Sequence, residues 1–176
     1  VIPGTQILLL DKEDATVLAP DNEPGELAIR GPQVMQGYWN RPPEVAAETF
    51  ARINGELWLR TGDVATIDDD GFLAIVDRSK DMIAVGGFKV FPSQVEAVLF
   101  EHPAVKEVLV IGVPDDYRGE MPKAFVTLNE DAAADVDGVM LADWLNTRVG
   151  KHERVTGVVI RDSLPKTMIG KLDRKA

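Results

Sequence analysis

Apolar residues recur along this chain with two different habits. Up to Asp77 they come as short runs and alternations. Ile7-Leu8-Leu9-Leu10 is one continuous run, and Glu26-Leu27-Ala28-Ile29-Arg30 alternates as a half-buried strand does. Pro20, Pro24 and Gly25 punctuate the space between them. Pro42-Pro43 precede Glu44 to Phe50, and proline is tolerated in a first helical turn, so a short helix is predicted there. Leu57 to Arg60 and Val64 to Ile67 read as strands. Asp70-Gly71 supplies turn chemistry before Phe72 to Val76 returns.

Asp77-Arg78-Ser79-Lys80 is polar, follows a strand without a strong continuation, and marks a boundary. Beyond it the pattern changes. Met82 to Val85 and Phe88 to Phe91 flank Gly86-Gly87, the signature of a tight hairpin. Ser93 and Glu96 have capping-box spacing for a helix with Val95, Val98 and Leu99 on one face, ending before Pro103. Val105 to Val113, Ala124 to Leu128 and Val158 to Ile160 read as strands. Val139 to Val149 reads as an amphipathic helix using Leu141, Trp144 and Leu145, with Gly150 as its stop. The fold class expected is α+β. Residues 1–77 form a small β-rich subdomain, and residues 78–176 a compact α+β domain with a small sheet covered by helices.

Composition narrows the function classes. With 176 residues and 45% hydrophobic content, the chain can bury a core for one ordinary domain or two small ones. A net charge of -10 argues against a nucleic-acid partner, because such binders present a basic face. A local basic cluster, here Lys166 to Lys175, can still attract a small anion against the global sign. The absence of cysteine excludes disulfides, thiolate zinc sites and a cysteine nucleophile, and fits a reducing cytoplasm. No apolar run is long enough to span a bilayer, and no signal peptide is visible. The chain opens on Val1, inside apparent strand sequence and without a Met, and reads as a piece of something longer.

Few residues carry obvious chemistry. Gly170-Lys171 suggests a phosphate loop, but Pro165 stands where the Walker pattern needs its first Gly, and Leu172 where it needs Ser or Thr. Lys171 is then either an exposed tail lysine or a charge that a mobile Gly-containing loop carries to a phosphate or carboxylate oxygen. Asp63, at the end of a strand, is either a turn residue bonding its own backbone or an acceptor for the two hydroxyls of a ribose. Arg78 is either half of a surface ion pair or a fork of donors for ribose or phosphate. Gly86 and Gly87 supply positive φ to a turn, or let backbone approach a ligand closely. Asp68-Asp69-Asp70-Gly71 lacks the spacing of a calcium loop and reads as a solvated turn. His102 and His152 are isolated from each other in sequence, so no metal site and no Ser-His-Asp arrangement is expected. Trp39, Trp58 and Trp144 read as packing residues.

Taken jointly, these segments resemble the acyl-activating, adenylate-forming superfamily of acyl-CoA synthetases, coumarate-CoA ligases, luciferases and peptide-synthetase adenylation domains. The resemblance rests on Gly25-Glu26-Leu27-Ala28-Ile29-Arg30-Gly31 with Gly37-Tyr38-Trp39-Asn40, on Trp58-Leu59-Arg60-Thr61-Gly62-Asp63, on Asp77-Arg78-Ser79-Lys80-Asp81-Met82-Ile83 through Phe88-Lys89-Val90-Phe91-Pro92, and on Leu164-Pro165-Lys166-Thr167 with Gly170-Lys171. It spans nearly the whole chain. Its details look most like the C-terminal portion of a bacterial medium- or long-chain fatty acyl-CoA ligase.

The resemblance implies an AMP-forming acid-thiol ligase that adenylates a fatty acid or other carboxylate with ATP and then transfers the acyl group to coenzyme A. Residues 1–77 would close the large AMP-binding domain, and residues 78–176 would be the mobile C-terminal domain. By the same resemblance Asp63 holds the ribose hydroxyls, Arg78 supports ribose or phosphate, and Lys80 is the hinge. Lys171 is catalytic in adenylation. Gly86, Gly87 and Phe88 line the route for the thiol, and Lys89 approaches the adenylate. Ala84 stands where some relatives carry Lys, so the resemblance does not carry that adenylate contact over to this chain. The Ser/Thr/Gly-rich phosphate loop, the acidic motif for Mg2+ and the acyl pocket would lie in an N-terminal domain beyond this sequence, so the isolated chain is expected to be inactive. The other readings are an adenylation domain that loads a carrier protein and a noncatalytic interaction module. A cytoplasmic location is expected, compatible with peripheral membrane contact.

Overall fold

The computed structural model describes residues 2–11, 14–132 and 135–174, so Val1 and Lys175 lie outside the described residues. The chain divides into two compact units, Val1–Lys80 and Asp81–Ala176.

The first unit is a five-stranded antiparallel sheet with one short helix. Its strands are β1 (Gln6–Leu10), β2 (Gly25–Arg30), β3 (Phe50–Ile53), β4 (Glu56–Ile67) and β5 (Leu73–Arg78), and its helix is α1 (Pro43–Thr49). β4 is the spine: β2 runs along one side of it, while β3 and β5 pair with its two ends. Leu10, Ala28, Ala51, Ile53 and Trp58 form the core of this unit.

Several expectations need correction here. The segments read as two strands, Leu57 to Arg60 and Val64 to Ile67, are one twelve-residue strand. Thr61, Gly62 and Asp63 therefore lie within a strand and not at its end. β3 was not legible from hydrophobic pattern, and Phe50 belongs to it rather than to the helix. Its signal was Asn54-Gly55, both at positive φ (52° and 82°), which is the backbone a two-residue hairpin demands. The polar pair Asp77-Arg78 continues β5 instead of ending the strand before it. Trp39 is not a packing residue within this unit; it is 95% exposed. The acidic run does form a turn, in which the Gly71 N–H donates to the Asp68 carbonyl and the Phe72 N–H to the Asp68 carboxylate.

The second unit is a five-stranded sheet covered by two helices. Its elements are β6 (Ile83–Val85), β7 (Phe88–Val90), α2 (Pro92–Phe100), β8 (Val105–Asp115), β9 (Gly119–Leu128), α3 (Gly138–Asn146) and β10 (Val158–Ile160). The sheet runs β10-β9-β6-β7, with β8 paired to β9 in a long antiparallel hairpin and β10 parallel to β9. Val95 and Leu99 of α2 and Leu141 and Leu145 of α3 are fully buried against Val85, Val110, Ala124 and Val126. Each leucine sealed in this way contributes about 1.5–3 kcal/mol.

Helix α2 starts at Pro92, so its cap position falls on Phe91 and not on Ser93. Helix α3 is capped by Asp137, whose carboxylate accepts the Met140 N–H, and it stops before Gly150. Gly138 opens α3 so close to β10 that a Cβ there would sit 2.2 Å from the Val158 carbonyl oxygen. Among the described residues, no helix is long and apolar enough to cross a membrane.

Candidate functional site

In the first unit, the Thr61-Gly62-Asp63 stretch bulges out of the β2–β4 ladder. The register runs from Glu26↔Val64 to Ala28↔Arg60, so β4 places three residues between two pairs that β2 separates by Leu27 alone. Gly62 makes the bend at φ +74°. Five hydrogen bonds stitch it in place. The Thr61 hydroxyl donates to the Leu27 carbonyl at 2.8 Å and accepts the Asp63 N–H at 3.1 Å. The buried Glu26 carboxylate takes the Gly62 N–H on one oxygen and two Arg60 nitrogens, at 3.1 and 2.7 Å, on the other. A buried carboxylate persists when paired and hydrogen-bonded in this manner. Glu26 lies within the Gly25–Gly31 motif, where its position alone implies no role. Its signal is a charged residue at an inward position of a strand.

The bulge sets Asp63 opposite Arg78 on β5. Arg78 Nε lies 2.8 Å from Asp63 Oδ1, and the arginine side chain is 56% exposed. The ion pair engages Nε, so the rest of the guanidinium fork can serve a ligand. Thr61, Gly62, Arg78 and Lys80 line an open cleft of about 680 Å³, together with Glu26 and Tyr38. Arg78 lines this cleft and Asp63 stands behind it as its ion-pair partner; a carboxylate and a guanidinium side by side suit a ribose and its phosphate. Lys80 sits in a single 3₁₀ turn, Ser79–Asp81, at the division between the units.

In the second unit, Gly86 and Gly87 form the two-residue turn between β6 and β7 at φ +57° and +87°, a type I′ conformation that favours glycine. The Gly86 N–H donates to the Arg118 carbonyl at 2.8 Å, which ties this turn to the one between β8 and β9. Phe88 is exposed on one side and stacks on the His152 ring on the other, with centroids 3.5 Å apart. Lys89 is half-buried on β7, between exposed Phe88 and buried Val90. His152 and Phe88 are 64 positions apart along the chain, so no local pattern links them.

Lys171 lies in a tight turn at the end of the described chain. The Lys171 carbonyl accepts the Thr167 N–H at 2.7 Å, the Lys171 N–H reaches the Thr167 hydroxyl at 3.2 Å, and Gly170 takes φ +79°. Met168 and Ile169 project into solvent at the tip, and Lys171 is exposed beside them. Lys166 pairs with Glu107 on β8, and its ammonium holds the Glu107 carboxyl below its ordinary range. The residues expected to act divide between the two units: Asp63, Arg78 and Lys80 belong to the first, and Gly86, Gly87, Phe88, Lys89 and Lys171 to the second. Among the described residues no cluster of three or more His, Asp or Glu side chains could hold a metal ion.

Residues 94–171 match the profile described as the AMP-binding enzyme C-terminal domain. The chain is 42% identical over 173 residues to a long-chain-fatty-acid–CoA ligase of Bacillus subtilis, covering 98% of this chain and 30% of the relative. The fold superposes on ATP-bound MatB from Rhodopseudomonas palustris with a TM-score of 0.86 and 29% identity, over 99% of this chain and 33% of that one. It superposes on o-succinylbenzoate CoA synthetase from Bacillus subtilis, in complex with its acyl-adenylate intermediate, with a TM-score of 0.80 and 34% identity, over 99% of this chain and 34% of that one. The chain spans about a third of the length of the proteins it matches.

Proposed function

We propose, from the match of residues 94–171 to the AMP-binding enzyme C-terminal domain, that this chain is the C-terminal part of an AMP-forming fatty acyl-CoA ligase. In the first half-reaction a carboxylate oxygen attacks the α-phosphate of ATP and expels pyrophosphate. In the second, the thiol of coenzyme A attacks the acyl carbon, loses its proton and expels AMP. The observation that carries the reading is the Asp63–Arg78 pair, held by a braced bulge beside a cleft that Arg78 lines.

In this proposal the Asp63 carboxylate accepts the ribose hydroxyls and Arg78 donates to ribose or phosphate. The Lys171 ammonium, aimed at charge that develops as carboxylate and phosphate meet, lowers the first barrier. Gly86, Gly87 and Phe88 offer backbone and an aromatic face to the incoming thiol, and Lys89 stands beside them. Lys80 is the pivot between the two arrangements. A magnesium ion would neutralise phosphate charge, held by residues outside this sequence. A long-chain fatty acid is the substrate proposed, from the likeness to the Bacillus ligase. The working compartment proposed is the cytoplasm.

Lys171→Ala in the full-length protein tests the reading. Loss of an aimed charge should lower acyl-adenylate formation by roughly 10²–10³-fold, with thioester formation from supplied acyl-adenylate preserved. Equal loss in both half-reactions would remove the assigned role.

A further inference from the structure

The Lys171 turn stands in solvent at its tip, yet its base is fastened on both sides. On the entering side, the Lys166 Nζ lies 2.5 Å from Glu107 Oε1 on β8. On the leaving side, one terminal nitrogen of Arg174 contacts both oxygens of Glu96 on α2, at 2.8 and 2.7 Å. Arg174 Nε points to the Val110 carbonyl at 3.4 Å, and its other terminal nitrogen lies 3.9 Å from Asp81, the residue after Lys80. Between these anchors the chain closes on itself. Lys166 and Leu172 form an antiparallel bridge, and the Asp173 N–H donates to the Pro165 carbonyl at 3.0 Å.

We propose that Lys166 and Arg174 are positioning residues, which clamp the base of the Thr167–Lys171 turn to β8 and α2 and thereby aim the Lys171 ammonium. This rests on the reading of Lys171 as the adenylation lysine. The physical case is one of geometry and not of stability. A half-exposed Lys–Glu pair adds little to folding free energy. It does restrict direction, and a misplacement of about 1 Å at a reacting centre can cost on the order of 10²-fold in rate. Arg174 is the more buried anchor, and its charge-assisted bonds are the stronger. It also approaches Asp81, the first residue after the proposed pivot, at 3.9 Å.

The test uses the full-length protein and two readouts. In Lys166→Met, amide exchange at Gly170 and Asp173 should accelerate by about tenfold or more, as expected when a local opening becomes easier. The kcat for acyl-adenylate formation should fall about tenfold with KM for ATP unchanged, and thioester formation from supplied acyl-adenylate should hold. Lys166→Arg, and the charge-swapped pair Lys166→Glu with Glu107→Lys, should restore both readouts to within about twofold. Unchanged exchange or unchanged adenylation in Lys166→Met overturns the proposal, and so does a charge-swapped pair no better than either single variant. If Lys171→Ala itself leaves adenylation intact, the reading beneath it fails, and the proposal falls with it. Accelerated exchange in Lys166→Met would then show a clamp with nothing catalytic to aim, which separates the two failures. Arg174→Met repeats the comparison on the second anchor; if that variant does not fold, the Lys166 series decides alone.

Discussion

Asp63 and Arg78 are cross-strand partners on β4 and β5, with Arg78 Nε 2.8 Å from Asp63 Oδ1. The pairing depends on the bulge beneath it. Gly62 bends β4, Thr61 pins the bend to the Leu27 carbonyl, and Glu26 holds the Gly62 N–H and the Arg60 guanidinium together. A motif that reads in sequence as six consecutive residues, Trp58 to Asp63, ends in space as a short shelf braced from the next strand.

Asp63→Ala should weaken ATP binding to the full-length protein by about 10- to 100-fold, the effect of losing hydrogen bonds to a charged acceptor. Folding stability should change by about 1 kcal/mol or less, because the ion pair is partly exposed, 56% at Arg78 and 29% at Asp63. Calorimetric titration and urea unfolding read the two quantities separately. A large loss of stability with intact binding would assign Asp63 to structure.

Gly87→Ala should destabilise the second unit by about 1 kcal/mol. No atom lies within 4 Å of the added Cβ, so the cost is conformational, set by φ +87°. Gly87→Asn should cost less, since asparagine tolerates the left-handed region better. Comparing their denaturation midpoints separates backbone strain from steric clash; equal midpoints for the two variants would exclude strain as the cause.

The Glu107 carboxyl is held low chiefly by its bond to Lys166, against a smaller opposing effect of burial. A depressed folded-state pKa means that this pair supports the fold above the ordinary carboxylate range. The support is lost as pH falls through the lowered value. In Lys166→Met, the Glu107 titration followed by carboxyl NMR should move up toward the ordinary range. A titration curve that stays in place would show that Lys166 is not the cause.

Lys80→Pro should lower overall turnover of the full-length protein by about tenfold, with adenylation measured alone retaining its rate. Proline fixes φ and restrains the preceding Ser79, which stiffens the 3₁₀ turn at the unit division. Normal turnover in this variant would remove Lys80 as a pivot.

Local periodicity and turn chemistry were enough to specify the elements whose signal is short-range. The α2 face of Val95, Val98 and Leu99, the Gly86-Gly87 hairpin and the β8 and β9 runs are all such patterns, and the structure has them. β3 escaped because four residues carry too little pattern, although Asn54-Gly55 marked its turn. Unbroken β4 escaped because Thr61-Gly62 looks like a strand end when the brace from Glu26 cannot be seen. Which charges meet was settled in three dimensions alone. Nothing local says that Arg78 pairs with Asp63, that Arg174 reaches back to Glu96, or that His152 lies flat on Phe88. Such partners are chosen by strand register and by packing between elements far apart along the chain, and those are properties of the folded whole.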